Sequence, residues 1–283
     1  MSVVTLKRWN LSMGAGQPLA VIAGLNVLEN VELALEVGRE LKAITAELGL
    51  PYVFKASFDK ANRSSITSYR GPGLKDGLAM LAEIKAKLDV PIATDIHEVD
   101  QAEPVAAVAD LVQIPAFLCR QTDLIVAASR ATAAQGGWLH VKKAQFLAPW
   151  DARNIITKAR EAAPDLDIVM CERGVSFGYN NLVVDMLGIG QMQKLGVPVT
   201  IDATHAVQLP GADPRTSGGS TGGRREGVSI IAKAAVAAGA DGVFLEFHPD
   251  PDKALCDGPS CLPLTASHGL LKTLKTIHEA VQA

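Results

Sequence analysis

Short, nearly continuous apolar runs alternate along the chain with longer stretches in which apolar residues recur every three to four positions. The short runs cover 20–26, 52–58, 91–97, 111–115, 138–143, 168–173, 197–205 and 242–248. Between them lie segments rich in alanine, leucine and charge, such as Val31–Leu48 and Leu74–Leu88, and a last one over 270–281 follows the eighth run. Strands that read as continuous apolar runs are buried on both faces, and strands alternating with helices pair in parallel through helical crossovers. Eight such units fill about the length of one closed barrel. The pattern therefore predicts an α/β fold, a (β/α)8 TIM barrel over 20–283. A short β-hairpin over 1–19 precedes it, because 3–13 alternates around Asn10. The chain 1–283 is expected to form one domain with no linker. An open dinucleotide-binding sheet is disfavoured, since no G-x-G-x-x-G follows the first run.

Each run ends in a polar or charged residue: Asn26, Lys55, Asp95, Gln113, Lys142, Arg173, His205 and Glu246. A charge on a buried strand is costly unless it serves something. Barrel enzymes place their chemistry at the C-terminal strand ends. Alternation groups Lys55 with Ser57, Asp95 with His97, His140 with Lys142 and Glu246 with His248. Singly, each has an ordinary explanation as a hydrogen-bonded core residue or a solvated loop edge. Eight converging on one rim point to a site. Lys60 and Arg63, in the loop after the second run, join Lys55, Lys142 and Arg173 to make five cations. Converging cations suit anionic ligands, and the planar Arg fork suits phosphate or carboxylate. Ser57, Ser64 and Ser65 add hydroxyls, and Asp95, His205, Glu246 and Asp257 supply acid–base capacity.

Composition narrows the class. Of 283 residues, 48% are hydrophobic and 20% charged, which supports a large core and argues against disorder. The net charge of −3, without a basic run, disfavours a nucleic-acid partner. The first nineteen residues lack a signal-peptide core, and no apolar run has membrane-span length. Cys119, Cys171, Cys256 and Cys261 form no C-x-x-C pair, so neither a zinc site nor a disulfide framework is indicated. A reducing cytosol is the expected compartment. The glycine-rich stretch 217–223 reads as a connection or as a mobile lid on the active face.

The run KASFDKANRSSITSYRGPG at 55–73 closely resembles the signature of the 3-deoxy-D-manno-octulosonate 8-phosphate synthase family. The resemblance continues in QIPAFLCRQTDL, VKKAQFLAP, CERGVSFGYNNLVVDMLG, DATHAVQ and FLEFHPDPDKALCDGPSCLPL, and spans about 21–264. It implies a tetrameric barrel enzyme of lipopolysaccharide precursor synthesis. Such an enzyme joins phosphoenolpyruvate to arabinose 5-phosphate and releases phosphate. By motif, Lys60 and the Gln113/Ala116 region would hold phosphoenolpyruvate, with Lys142 and Arg173 on its phosphate. Asn62, Arg63 and Ser64 would hold the sugar phosphate, with Arg63 able to reach a neighbouring subunit. Asn26, His205, Glu246 and Asp257 match the four positions that carry a divalent metal in one branch of the family. Here the first is Asn rather than Cys, and CDGP at 256–259 also resembles the metal-free branch, so no metal and no cofactor are expected. Thr67 stands where the family often has His, and the loop 211–223 is longer than usual.

Three competing readings remain at this stage. A 3-deoxy-D-arabino-heptulosonate 7-phosphate synthase would carry a K-P-R-T-S type loop instead of KANRSS. A Schiff-base aldolase would use Lys55 or Lys142 as a desolvated nucleophile. A non-catalytic sugar-phosphate-binding barrel would show a degraded catalytic set.

Overall fold

A computed structural model of the chain describes residues 2–213 and 221–282. The hairpin is present: β1 (Val3–Leu6) pairs antiparallel with β2 (Leu11–Gly14), with Asn10 in the left-handed conformation at φ 48° between them. Eight parallel strands follow, β3 (Ala20–Val27), β4 (Tyr52–Ser57), β5 (Ile92–Asp95), β6 (Leu111–Ile114), β7 (Trp138–Lys142), β8 (Asp167–Glu172), β9 (Val199–Asp202) and β10 (Gly242–His248). They pair in chain order, and β10 closes the ring by pairing with both β9 and β3. The helices α1 (Val31–Leu48), α2 (Leu74–Leu88), α3 (Ala102–Ala106), α4 (Thr122–Ala134), α5 (Ala152–Ala162), α6 (Leu187–Gln193), α7 (Val228–Ala237) and α8 (Ser267–Gln282) alternate with the strands. The closed (β/α)8 barrel expected from the pattern is the observed fold. Among the described residues, no helix is long and apolar enough to cross a membrane.

The strands stop one to three residues before most of the expected ends. β9 shows the largest difference: it ends at Asp202, and His205 opens a 3-10 turn, His205–Val207. The expectation that His205 closes the seventh strand is thereby corrected. Asp202 bends the chain there by accepting the His205 backbone N–H at 2.9 Å. The lid reading of 217–223 lies largely outside the described residues.

Two apolar layers follow from the two-residue period of a strand. Outward residues such as Phe54, Val112, Leu139 and Leu245 pack under the helices in one large core. Inward residues Ile22, Val53, Ala93, Leu111, Trp138, Val169 and Phe244 fill the barrel and meet Val4, Leu6, Leu11 and Met13 of the hairpin. Asp167 accepts the Thr5 N–H at 3.0 Å, and Asp110 accepts the Trp9 indole N–H at 2.8 Å. The hairpin therefore plugs the N-terminal end, and only the C-terminal end is left for chemistry. Gly24 matters to that end. A Cβ there would lie 2.1 Å from the Lys55 carbonyl, and the β3–β4 register shifts between Gly24 and Val27, the segment that presents Asn26.

Candidate active site

The strand ends deliver their polar side chains to a cavity of about 450 Å³ at the C-terminal mouth. Lys55, Lys60, Asn62, Arg63, Ser64, Asp95, Gln113, Ala116, Lys142, Arg173, His205 and Asp257 line it. Asn26, Ser57 and Glu246 are buried and hydrogen-bond to residues of that lining. All fifteen residues singled out from sequence are thus brought together, although they lie on all eight barrel strands or the loops that follow them.

The cations are held from below. Lys55, 1% exposed, donates to Ser57 Oγ at 2.8 Å and the Asn26 carbonyl at 3.2 Å, and pairs with Glu246 Oε1 at 3.4 Å. Burial, with Lys60 nearby, pushes its pKa down to about 8. Lys60 moves the other way. Burial disfavours its charge, but the carboxylates of Glu246 and Asp95 outweigh that and raise its pKa. Lys142 Nζ lies 2.5 Å from Asp202 Oδ2. Arg173 donates through Nη2 to Gln208 Oε1 at 2.9 Å, while its Nη1 is buried with no hydrogen-bond partner. An unpaired buried guanidinium nitrogen costs free energy, and an anionic ligand in the cavity would relieve it. Arg63 turns its Nη1 to Cys256 Sγ at 2.6 Å and lies 3.9 Å from Asp257 Oδ1.

In contact with these cations lies an acid–base network. His205 Nδ1 is 2.8 Å from Asp202 Oδ2, and its Nε2 lies 3.6 Å from both Glu246 Oε2 and Asp257 Oδ2. Burial lowers the His205 pKa, but Asp202 and Glu246 outweigh it, and the net shift is upward. Each carboxylate shifts down. Burial raises Glu246 and Asp202, yet His205 beside each, with Lys55 and Lys142, holds them below the usual range. Asp257 is held below its usual range by His205 and Lys60 against the same desolvation. Asp95 accepts a hydrogen bond from Ser57 and pairs with His97 at 3.0 Å; burial raises its pKa, but Lys55, His97 and Lys60 together outweigh that and hold it well below normal.

Asn26 stands at the centre of this network. Its Nδ2 donates to Glu246 Oε2 and, at 3.2 Å, to Asp257 Oδ2, and lies 3.4 Å from His205 Nε2. Its Oδ1 is buried without a partner. A metal ion needs lone pairs converging on it. Here an N–H donor faces the two carboxylates, so the arrangement does not fit a cation ligated by these four residues.

Several functional residues escaped the sequence reading. Asp202 bridges Lys142 and His205, and Gln208 links Arg173 to Asp257 through a 3.1 Å hydrogen bond. Gln145 and Phe117 also line the cavity, beside His97, which alternation had already grouped with Asp95. The signal for Asp202 was present: it shares a strand face with Thr200. Reading the run on to His205 masked the strand end that Asp202 marks.

The chain is matched over residues 2–283 by the family model described as the DAHP synthetase I family. A protein of Cupriavidus necator is 51% identical over 282 residues, covering 98% of this chain and 95% of its own, and is named 2-dehydro-3-deoxyphosphooctonate aldolase. Proteins of the same name from Desulfotalea psychrophila and Hahella chejuensis are 52% and 51% identical, over 96% and 100% of this chain and 94% and 97% of theirs. With a matched model across nearly every residue and relatives at this identity over nearly their whole length, the chain belongs to the DAHP synthetase I family.

Proposed function

We propose that this chain condenses phosphoenolpyruvate with D-arabinose 5-phosphate and water, giving 3-deoxy-D-manno-octulosonate 8-phosphate and inorganic phosphate. This is a transferase reaction of lipopolysaccharide precursor synthesis. The carrying observation is the five-cation cavity faced by the Asn26–His205–Glu246–Asp257 network. The name borne by relatives 50–52% identical denotes the same synthase. C3 of phosphoenolpyruvate attacks the sugar aldehyde. Positive charge develops at C2, water adds there, and the C–O bond to phosphate breaks. Two mutually repelling anions must lie side by side, and Lys55, Lys60, Arg63, Lys142 and Arg173 offset that repulsion. Positioning the reactants lowers such a barrier by several kcal/mol, roughly 7–11 at its fullest. Lys60 and the Gln113/Ala116 segment take phosphoenolpyruvate, Lys142 and Arg173 its phosphate, and Asn62, Arg63 and Ser64 the sugar phosphate. Asn26, His205 and Asp257 orient the aldehyde and the attacking water, and Glu246 holds that network.

The reaction is proposed to need no metal, as the donor amide of Asn26 supports. Four buried, unpaired cysteines support a reducing, cytosolic compartment. Exposed Phe117, Phe146, Trp150, Phe177 and Leu187, on segments after the adjacent strands β6, β7 and β8, support assembly as a homotetramer.

The decisive experiment is a phosphate-release assay. Arabinose 5-phosphate should be used far faster than erythrose 4-phosphate; equal or reversed rates would overturn the assignment in favour of the heptulosonate enzyme. The lowered pKa of Lys55 favours a second reading, a Schiff-base aldolase. Borohydride trapping with substrate separates the two, because only an imine on lysine would leave a covalent adduct.

A further inference from the structure

Phe244 lies in β10 two residues before Glu246, so both side chains point into the barrel. The ring is fully buried. Lys142 Nζ sits 3.7 Å from its centroid and Lys55 Nζ 5.4 Å. His140 stacks on it at 6.1 Å with an interplanar angle of 10°. In the pairing of β9 with β10, Asp202 is the register partner of Phe244. The Lys142 ammonium is therefore held by two side chains from adjacent strands, a carboxylate and an aromatic face.

We propose that Phe244 is a positioning residue whose ring holds the Lys142 ammonium through a cation–π contact and so presents it to the phosphate of phosphoenolpyruvate. The identity of that anion rests on the synthase reading above. A lysine is a point charge on a flexible stem with three donors, and it needs fixing before it can place a phosphate. Asp202 takes one donor. The ring attracts the cation through its quadrupole without adding a net negative charge, so it does not repel an incoming anion. It also accepts no strong hydrogen bond, which leaves the other donors free. A second carboxylate at this position would compete with the ligand, and an aliphatic side chain would fill the space without attracting the ammonium. His140 completes the floor. Its ring nitrogens lie 3.2 Å from Gln113 Oε1 and 2.9 Å from Thr200 Oγ1, and burial and Lys142 push its pKa down to about 3. It therefore stays neutral and brings no competing cation to the ring.

Ordinary core packing would also bury a phenylalanine here, beside Trp138 and Ile22. The two roles respond differently to ring electronics. Replacing Phe244 with mono-, di- and trifluorinated phenylalanines weakens the negative face at nearly constant shape. The Kd values for phosphoenolpyruvate and inorganic phosphate, and KM for each substrate, should be read along the series with the melting temperature. We expect phosphoenolpyruvate and phosphate binding to weaken stepwise while melting temperature and sugar KM stay level. Phe244→Leu should weaken phosphoenolpyruvate binding roughly ten-fold. Constant affinity along the fluorinated series overturns the proposal, even if Phe244→Leu fails to fold. If the wild type binds phosphate but releases none from phosphoenolpyruvate, the synthase reading fails, and the series read on phosphate still decides the role of the ring. A wild type that binds neither anion overturns both.

Discussion

A single amide sets how the acid–base network is wired. In Asn26 the Nδ2 group donates to Glu246 and Asp257, and the position tolerates an N–H donor because two carboxylates face it. A thiolate in the same place would turn donors into a convergent set of soft and hard ligands with His205. The wild type should keep full activity after exhaustive chelation, and added manganese or zinc should not raise it. Asn26→Cys should take up a divalent ion, and its activity should then fall with chelator. Metal analysis paired with activity before and after chelation checks both. Loss of wild-type activity on chelation, with recovery on metal addition, would place this chain in the metal-dependent branch. At this scale the sequence was most legible where chemistry leaves a mark in a motif, as at Asn26, Arg63 and His205. It was least legible where one residue type serves two purposes. Phe244 reads as core from its apolarity alone, and nothing local in its strand reveals that Lys142, more than a hundred positions earlier, rests on its face.

At the scale of elements, period-two alternation told the inside of the barrel from the outside, and it sorted Lys55 and Ser57 from Phe54 and Phe58 as observed. The strand ends were less legible, because polar residues that close a strand and polar residues that open the next loop look alike. Lys143 and Glu172 show the consequence. Both lie on the outward side of the barrel, where the rim reading does not look, and both are almost wholly buried. Lys143 Nζ lies 3.5 Å from Glu172 Oε2 and donates to the Leu147 carbonyl at 3.1 Å. Glu172 Oε1 accepts the backbone N–H groups of Arg173 and Gly174 at 2.8 and 2.6 Å. This pair ties the loop after β7 to the end of β8 and fixes the chain at Arg173. Lys143→Met would leave Glu172 buried and uncompensated, at a cost of about 3–5 kcal/mol. Adding Glu172→Gln removes the stranded charge, and the amide oxygen still accepts the two N–H groups. The double variant should recover more than half of the loss in urea unfolding. A single variant within about 0.5 kcal/mol of wild type, the range of an ordinary surface change, would show the pair to be dispensable.

Over the whole molecule, a chain of modest net charge concentrates opposite charges at one end of its barrel, and this makes its stability a function of pH. Closure of the ring and the leading hairpin were legible from eight repeats and a leading alternation, but that the hairpin plugs the N-terminal end was not. The charge compensation was not, because it depends on distances between strands remote in sequence. The folded pKa values of Asp95, Asp202, Glu246 and Asp257 all lie below their unfolded ones. Each therefore contributes stability that is present above the unfolded carboxylate pKa, about 4, and is lost as pH falls through the depressed folded value. His205 has the opposite sign. Its folded pKa is raised, so its contribution is complete below about 6.5 and is lost as pH rises through the raised value. Lys55, lowered to about 8, is the third case. Between about 8 and 10.5 the unfolded chain holds a proton that the folded chain has released, so this group favours folding more as pH rises and partly offsets the loss at His205. The melting temperature should form a plateau between about pH 4.5 and 6.5 and fall steeply below about pH 4, with a shallower alkaline change. Asp202→Asn should flatten the acid limb, since one of the most strongly depressed carboxylates is gone. Scanning calorimetry of wild type and variant from pH 3 to 10 tests this, and a wild-type midpoint that stays constant from pH 6 to 3 would mean that the rim carboxylates do not gain in the folded chain what their partners offer them.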